Sequence, residues 1–197
     1  MFVFVLLFIV GCAPKVMVPP KMDLKGYEIL GIIRFTSNSE GKLQEYTTQK
    51  FIKAIGEDQT GIKIVELGDE NEILKTIGGT QIGPDELKKL NENYGIKTLM
   101  TGILDLSKPS TDVDIFGGLT NLSVEQKVTA TLTVKLRDTQ SGATIWTNSA
   151  TFSREVSDVG FYGGFFHFDS EDPDKAYGKL VDKLVRDVSE DFRVTWE

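Results

Sequence analysis

Two adjoining segments restrict the fold more than any others in the chain. From Val124 to Arg137 the side chains alternate: Val128, Ala130, Leu132, Val134 and Leu136 fall on one side, and Lys127, Thr129, Thr131, Thr133 and Lys135 on the other. A period of two puts every apolar group on one face of a strand, so this strand must lie on a core with its other face in water. Asp138 to Gly142 (DTQSG) then supplies turn residues, and Ala143 to Glu155 forms a return strand with Ile145 and Trp146 near its start. The result is a long antiparallel hairpin whose apolar face the rest of the chain has to cover.

The segments before it have other periods. Tyr27 to Phe35 (YEILGIIRF) is β-branched and aliphatic and predicts a buried strand; Ile62 to Leu67 (IKIVEL) and Lys97 to Leu106 (KTLMTGILDL) predict two more. Between them, Leu43, Tyr46, Phe51, Ala54 and Ile55 mark one face of a helix ending at Gly56. A short helix over Asp69 to Ile77 stops at Gly78-Gly79. Pro84-Asp85-Glu86 opens another, with proline and acids in its first turn, and Gly95 ends it. A last helix runs from about Asp174 to Phe192, with Tyr177, Leu180, Val181, Leu184, Val188 and Phe192 on one face. Strands separated by helices pair in parallel through crossovers. The expected fold class is therefore α/β: a mixed sheet of three parallel-type strands plus an antiparallel hairpin, packed by helices.

The start of the chain indicates its compartment. Phe2 to Val10 is an unbroken run of nine apolar residues, too short for the roughly 20 that a membrane helix needs. It fits the apolar region of a secretory signal peptide. Ile9-Val10-Gly11-Cys12 resembles a bacterial lipobox, in which the Cys is acylated and becomes the mature N-terminus. No Lys or Arg precedes the run, so either the start lies upstream or the α-amino group alone supplies the positive charge. Residues 1–11 are thus the expected signal peptide and Cys12 the expected lipidation site, carrying several palmitate-type chains, enough for stable anchoring. Ala13, rather than Asp, follows Cys12, which resembles lipoproteins sorted to the outer membrane. Residues 12–23, with three prolines, are an expected extended tether, and residues 24–197 a single domain.

Composition narrows the chemistry. With 22 basic and 29 acidic side chains the net charge is -7, which argues against nucleic acid as a partner. One Cys and one His cannot build a zinc site of the Cys/His type, and His167 has no evident base–nucleophile companion. No enzyme activity, cofactor or metal is expected. Gly78 to Gly83 (GGTQIG) lacks the Lys-Ser/Thr of a phosphate loop. Asp112-Val-Asp114 lacks the later ligands of a calcium loop. The acids Glu155, Asp158, Asp169, Glu171, Asp172 and Asp174 are expected to be solvated loop charges.

The order of these segments resembles the bacterial envelope lipoproteins related to the curli secretion channel CsgG and their smaller relatives such as the penicillin-binding-protein activator LpoB. The resemblance is carried by YEILGIIRF, by IKIVEL before a short helix, by Tyr94 to Leu104 (YGIKTLMTGIL), and by VTATLTVKLRDTQSGATIWT (Val128 to Thr147). It implies a CsgG- and TolB-N-terminal-like domain in the periplasm, attached to the outer membrane. The chain departs from the channels at Thr36 to Lys42, a short turn where they carry a long constriction loop.

Two insertions, at about 107–123 and 156–169, stand where the channels have membrane hairpins. Each has a Gly-Gly centre flanked by apolar residues, Phe116 and Leu119 in the first. The second, Gly160 to Phe168, holds five aromatics in nine residues: Phe161, Tyr162, Phe165, Phe166 and Phe168. These seven residues are the expected partner or membrane contacts. The alternative for the second insertion is a loop folded over the domain's own core. The expected function is contact with an unknown envelope protein, in assembly or regulation of an envelope component. The alternative is a subunit of a homo-oligomeric CsgG-like secretion pore; an envelope hydrolase ranks below both.

Overall fold

The computed structural model describes residues 15–107, 126–157 and 159–196. The expected signal peptide, Cys12, Phe116, Leu119, nearly all of the first insertion and Asp158 lie outside these residues. In chain order the elements are β1 (Met17–Val18), β2 (Ile29–Ile32), β3 (Thr36–Ser37), β4 (Ser39–Gly41), α1 (Leu43–Asp58), β5 (Lys63–Glu66), α2 (Glu70–Ile77), α3 (Pro84–Tyr94) and β6 (Thr98–Ser107). There follow β7 (Gln126–Asp138), β8 (Thr144–Val156), β9 (Val159–Tyr162), β10 (Phe165–Phe168), α4 (Lys179–Val188) and β11 (Thr195–Trp196).

The main sheet has the order β5-β2-β6-β7-β8. β5, β2 and β6 are parallel, and β7 and β8 are antiparallel additions, so the mixed sheet expected from the alternation is the one observed. Val128, Ala130, Leu132, Val134 and Leu136 are all buried on one face of β7. α1 and α4 cover that face with Phe51, Ile55, Leu180, Leu184 and Val188. On the other face the Thr129–Ser153, Thr131–Thr151 and Thr133–Ser149 hydroxyls bond across the hairpin at 2.7, 2.8 and 2.9 Å. This ladder lets a wet sheet face satisfy its own polar groups. α2 and α3 cover the β2–β6 end of that face with a second cluster, in which Ile73, Leu74, Ile77, Leu87 and Leu90 close over Ile33 and Leu99.

Four elements differ from expectation. The last helix, expected from about Asp174 to Phe192, is α-helical only at Lys179–Val188, with a wider π turn at Asp174–Gly178 before it and a tighter 3-10 turn at Glu190–Phe192 after it. The strand expected over Tyr27 to Phe35 is regular only at Ile29–Ile32; it follows Glu28, a non-glycine residue at φ 57°. The turn expected over Thr36 to Lys42 contains β3, parallel to β6, and β4, parallel to β10. Asn38 secures this stretch, because its side-chain amide donates to Leu106 O at 3.0 Å and its side-chain oxygen accepts from Leu106 N at 2.8 Å. One side chain thus continues the ladder beyond β3. Finally, α1 does not stop at Gly56 but runs on to Asp58. A glycine in a helix costs only about 1 kcal/mol, which tertiary contacts override.

The helix continues because its end is a hub. Gln59 is buried; its Oε1 accepts from Leu24 N at 2.8 Å, and its Nε2 donates to Met22 O at 3.0 Å and Phe192 O at 2.8 Å. One amide therefore ties the start and the end of the domain to α1. The end of the segment expected as a tether is held here too: Met22 N donates to Asp191 O at 2.8 Å, and Lys21 pairs with Asp191 at 3.1 Å. Earlier in that segment, β1 pairs antiparallel with β11, setting Met17 opposite Trp196.

Candidate functional site

The aromatic insertion is a hairpin. Gly163 and Gly164, at φ 62° and 88°, form its two-residue turn, where glycine accepts the left-handed backbone at no steric cost. β9 and β10 pair in register, with Phe161 opposite Phe166, Tyr162 opposite Phe165, and Val159 opposite Phe168. Alternation then sorts the aromatics by face. Val159, Phe161, Phe166 and Phe168 point inward; Gly160, Tyr162, Phe165 and His167 point outward.

The inward face is core. Phe166 and Phe168 are 3% and 0% exposed, and Phe161 packs half-buried on the same cluster. Ring contacts run inward from Phe161–Phe166 at 4.9 Å, through Phe168–Tyr177 at 5.2 Å, to Tyr177–Tyr46 at 5.4 Å. Burial pushes the Tyr177 hydroxyl up to about 12. Phe166 and Phe168, expected among the contact residues, thus sit inside the domain. The outward face keeps Tyr162 at 61% and Phe165 at 49% exposed. Each strand has four residues, where a membrane strand needs about 9–11. One edge of β10 is occupied by β4.

The outer aromatics are held in place. The Tyr162 ring stacks on the His167 ring at 3.5 Å with 3° between planes. Gly160 makes room for it: a Cβ there would lie 3.0 Å from Tyr162 Cε1. His167 Nδ1 lies 3.1 Å from Glu40 Oε2 on β4, and His167 Nε2 lies 3.2 Å from Tyr162 O. Both ring nitrogens therefore have structural partners, which suits positioning rather than catalysis. The hairpin is also clamped where β4 ends. Gly41, at φ 93°, passes so close to β10 that a Cβ would lie 2.3 Å from Phe168 O. Lys42 N donates to that same carbonyl at 3.0 Å.

The acids around the hairpin divide. Glu155, Asp169, Glu171 and Asp172 are exposed, as solvated charges should be. Asp174 is also exposed but joins helices: it accepts from Lys50 Nζ at 2.7 Å and from Tyr46 Oη at 2.5 Å, while Lys50 also reaches Asp182 at 3.2 Å. The Lys50 bond, then the Tyr46 bond, hold its carboxyl below the usual range. Among the described residues no cluster of three or more His, Cys, Asp or Glu is arranged to hold a metal, and no helix is long and apolar enough to cross a membrane.

Two features were not read from the sequence. One is Glu40, whose role depends on the parallel β4–β10 pairing. The other is the exposed pair Met17 and Trp196, brought together by pairing of β1 with β11. Apart from Trp196 being an apolar residue beyond the last amphipathic helix, no local pattern marks it.

No protein-family model matches the chain, and no curated protein matches it. Solved structures do. A PelC dodecamer structure from Paraburkholderia phytofirmans is similar over 90% of this chain and 95% of that one, at 10% identity and a TM-score of 0.49. The LpoB C-terminal domain from Escherichia coli is similar over 65% of this chain and 84% of that one, at 13% identity and a TM-score of 0.41. Lipoprotein GNA1162 from Neisseria meningitidis is similar over 64% and 83%, at 14% identity and a TM-score of 0.37. All three likenesses are distant, and function for this chain rests on its own residues.

Proposed function

We propose that this chain is a lipid-anchored protein of the bacterial envelope that acts by protein–protein contact, assembling or regulating another envelope component, and that it catalyses no reaction. The observation that carries this reading is the Tyr162–Phe165 pair. These two large rings stand side by side and exposed on a hairpin whose other face is locked into the core. Exposed aromatics on a rigid support are the usual anchors of interfaces, because they bury much area and lose little conformational freedom on binding. The Gly-Gly turn, the His167 stack and the Glu40 contact pre-organise them. Cys12, in its lipobox context, supports the anchor, and Ala13 supports outer-membrane sorting with a periplasmic domain.

The test has two arms. Growth on labelled palmitate should label the protein, and Cys12→Ser should abolish the label. Replacing Tyr162 and Phe165 together with Ser should abolish capture of the envelope partner while leaving the circular dichroism spectrum unchanged. Undiminished capture by the double variant would remove the hairpin from the proposal.

A further inference from the structure

The β1–β11 pair sets two exposed apolar side chains next to each other. Met17 and Trp196 are 56% and 62% exposed, and Val16, next to Met17 in the chain, is 65% exposed. They are three of only eight large hydrophobic side chains that stand exposed among the described residues. Met17 and Trp196 are direct cross-strand neighbours in the β1–β11 pair, so their side chains share one face. The spot is fixed to the domain: three residues past β1, Lys21 pairs with Asp191, and Met22 is bonded to both Asp191 O and Gln59. At the β11 side, Phe192 O is bonded to the same Gln59.

Position in the chain says what covers this spot. Met17 lies five residues after Cys12. Five residues reach at most about 18 Å when fully extended. If Cys12 carries its acyl chains in a bilayer, the spot cannot leave the neighbourhood of that bilayer's surface. Trp is enriched at the level of lipid headgroups, where its apolar body and N–H donor are both satisfied. Lys15, exposed, adds a cation beside the spot suited to anionic headgroups.

We infer that Trp196 and Met17 form a membrane-docking patch that seats the domain directly on the lipid surface, so that acylated Cys12 is the first of two attachments rather than the end of a free leash. This inference rests on the proposed lipidation of Cys12. Its consequence is orientation. A domain held by β1–β11 against lipid presents a fixed side to the periplasm, whereas a domain on a flexible tether would sample all directions.

The test uses the acylated full chain in vesicles of phosphatidylethanolamine and phosphatidylglycerol, with and without lipids brominated near the headgroup end of the acyl chain. Tryptophan emission should shift to the blue on incorporation and be quenched by the brominated lipid. Trp196→Ser should lose that quenching, leaving only the emission of Trp146, which is packed against Phe192. A variant with ten Gly/Ser residues inserted between Pro14 and Lys15 should keep it, because the patch binds lipid in its own right. Three results would overturn the inference: no quenching of acylated wild type, quenching unchanged in Trp196→Ser, or quenching lost when the spacer is lengthened. Absence of palmitate on Cys12 is a separate readout that would defeat the anchor itself.

Discussion

Truncating the two faces of the aromatic hairpin one at a time separates a folded-back hairpin from a projecting one. Phe168 has no exposed surface. Phe→Ala at such a site loses the transfer energy of the ring and leaves a cavity, together about 3–5 kcal/mol. Phe168 also meets Tyr177 edge-on at 5.2 Å and Phe166 at 6.2 Å, and aromatic pairs add about 0.5–1.5 kcal/mol beyond area, so the upper half of the range is expected. Phe165 is half exposed on the outer face, and its truncation should cost less than about 1 kcal/mol. With a urea slope of about 2 kcal/mol per molar, Phe168→Ala lowers the midpoint by about 2 M and Phe165→Ala by less than about 0.5 M. The assay is urea unfolding followed by tryptophan emission. Equal shifts, or a larger shift for Phe165→Ala, would refute the assignment of faces.

Other expectations follow from the same structure. Gly41→Ala places a Cβ 2.3 Å from Phe168 O at a φ of 93°, so it should cost about 3 kcal/mol or more and free the hairpin for hydrogen exchange. Gln59→Leu keeps the volume but strands three backbone groups, at about 1–3 kcal/mol for each that stays dry; exchange protection at Leu24 should fall first. The Trp146 hydrogen bond, then Lys21, hold Asp191 below the usual carboxylate range. A depressed carboxyl stabilises the fold fully above its unfolded value of about 3.9 and loses that contribution as pH falls through the folded value. Acid titration should therefore loosen the chain ends, seen as a change in Trp146 emission below about pH 4, and Asp191→Asn should remove that transition.

The main sheet was legible because each of its strands carries its own pattern. Val128 to Leu136 alternates over enough residues to fix both a strand and its buried face, and glycines mark the ends of α2 and α3 at positions where the backbone is left-handed. What stayed hidden depends on partners distant in sequence. Phe161 to Phe168 is aromatic on both faces, so alternation alone could not say which rings turn inward; pairing with β4 decides it. β3, β4, β1 and β11 are two or three residues long, too short for any period, and exist because β6, β10 and each other are there to pair with. Gly56 would end an isolated helix, but the bonds of Gln59 to Met22 and Phe192 carry α1 two residues further, to Asp58.

The central claim is contact with a protein through the Tyr162–Phe165 platform. The most direct measurement places a photo-cross-linking amino acid at position 165 of the full chain in living cells, with position 94 as the control. Tyr94 is also exposed, at 44%, but stands at the end of α3. The account expects irradiation to join position 165 to one discrete envelope protein and position 94 to none. Cross-links from position 165 to lipid alone, or the same adducts from both positions, would contradict it.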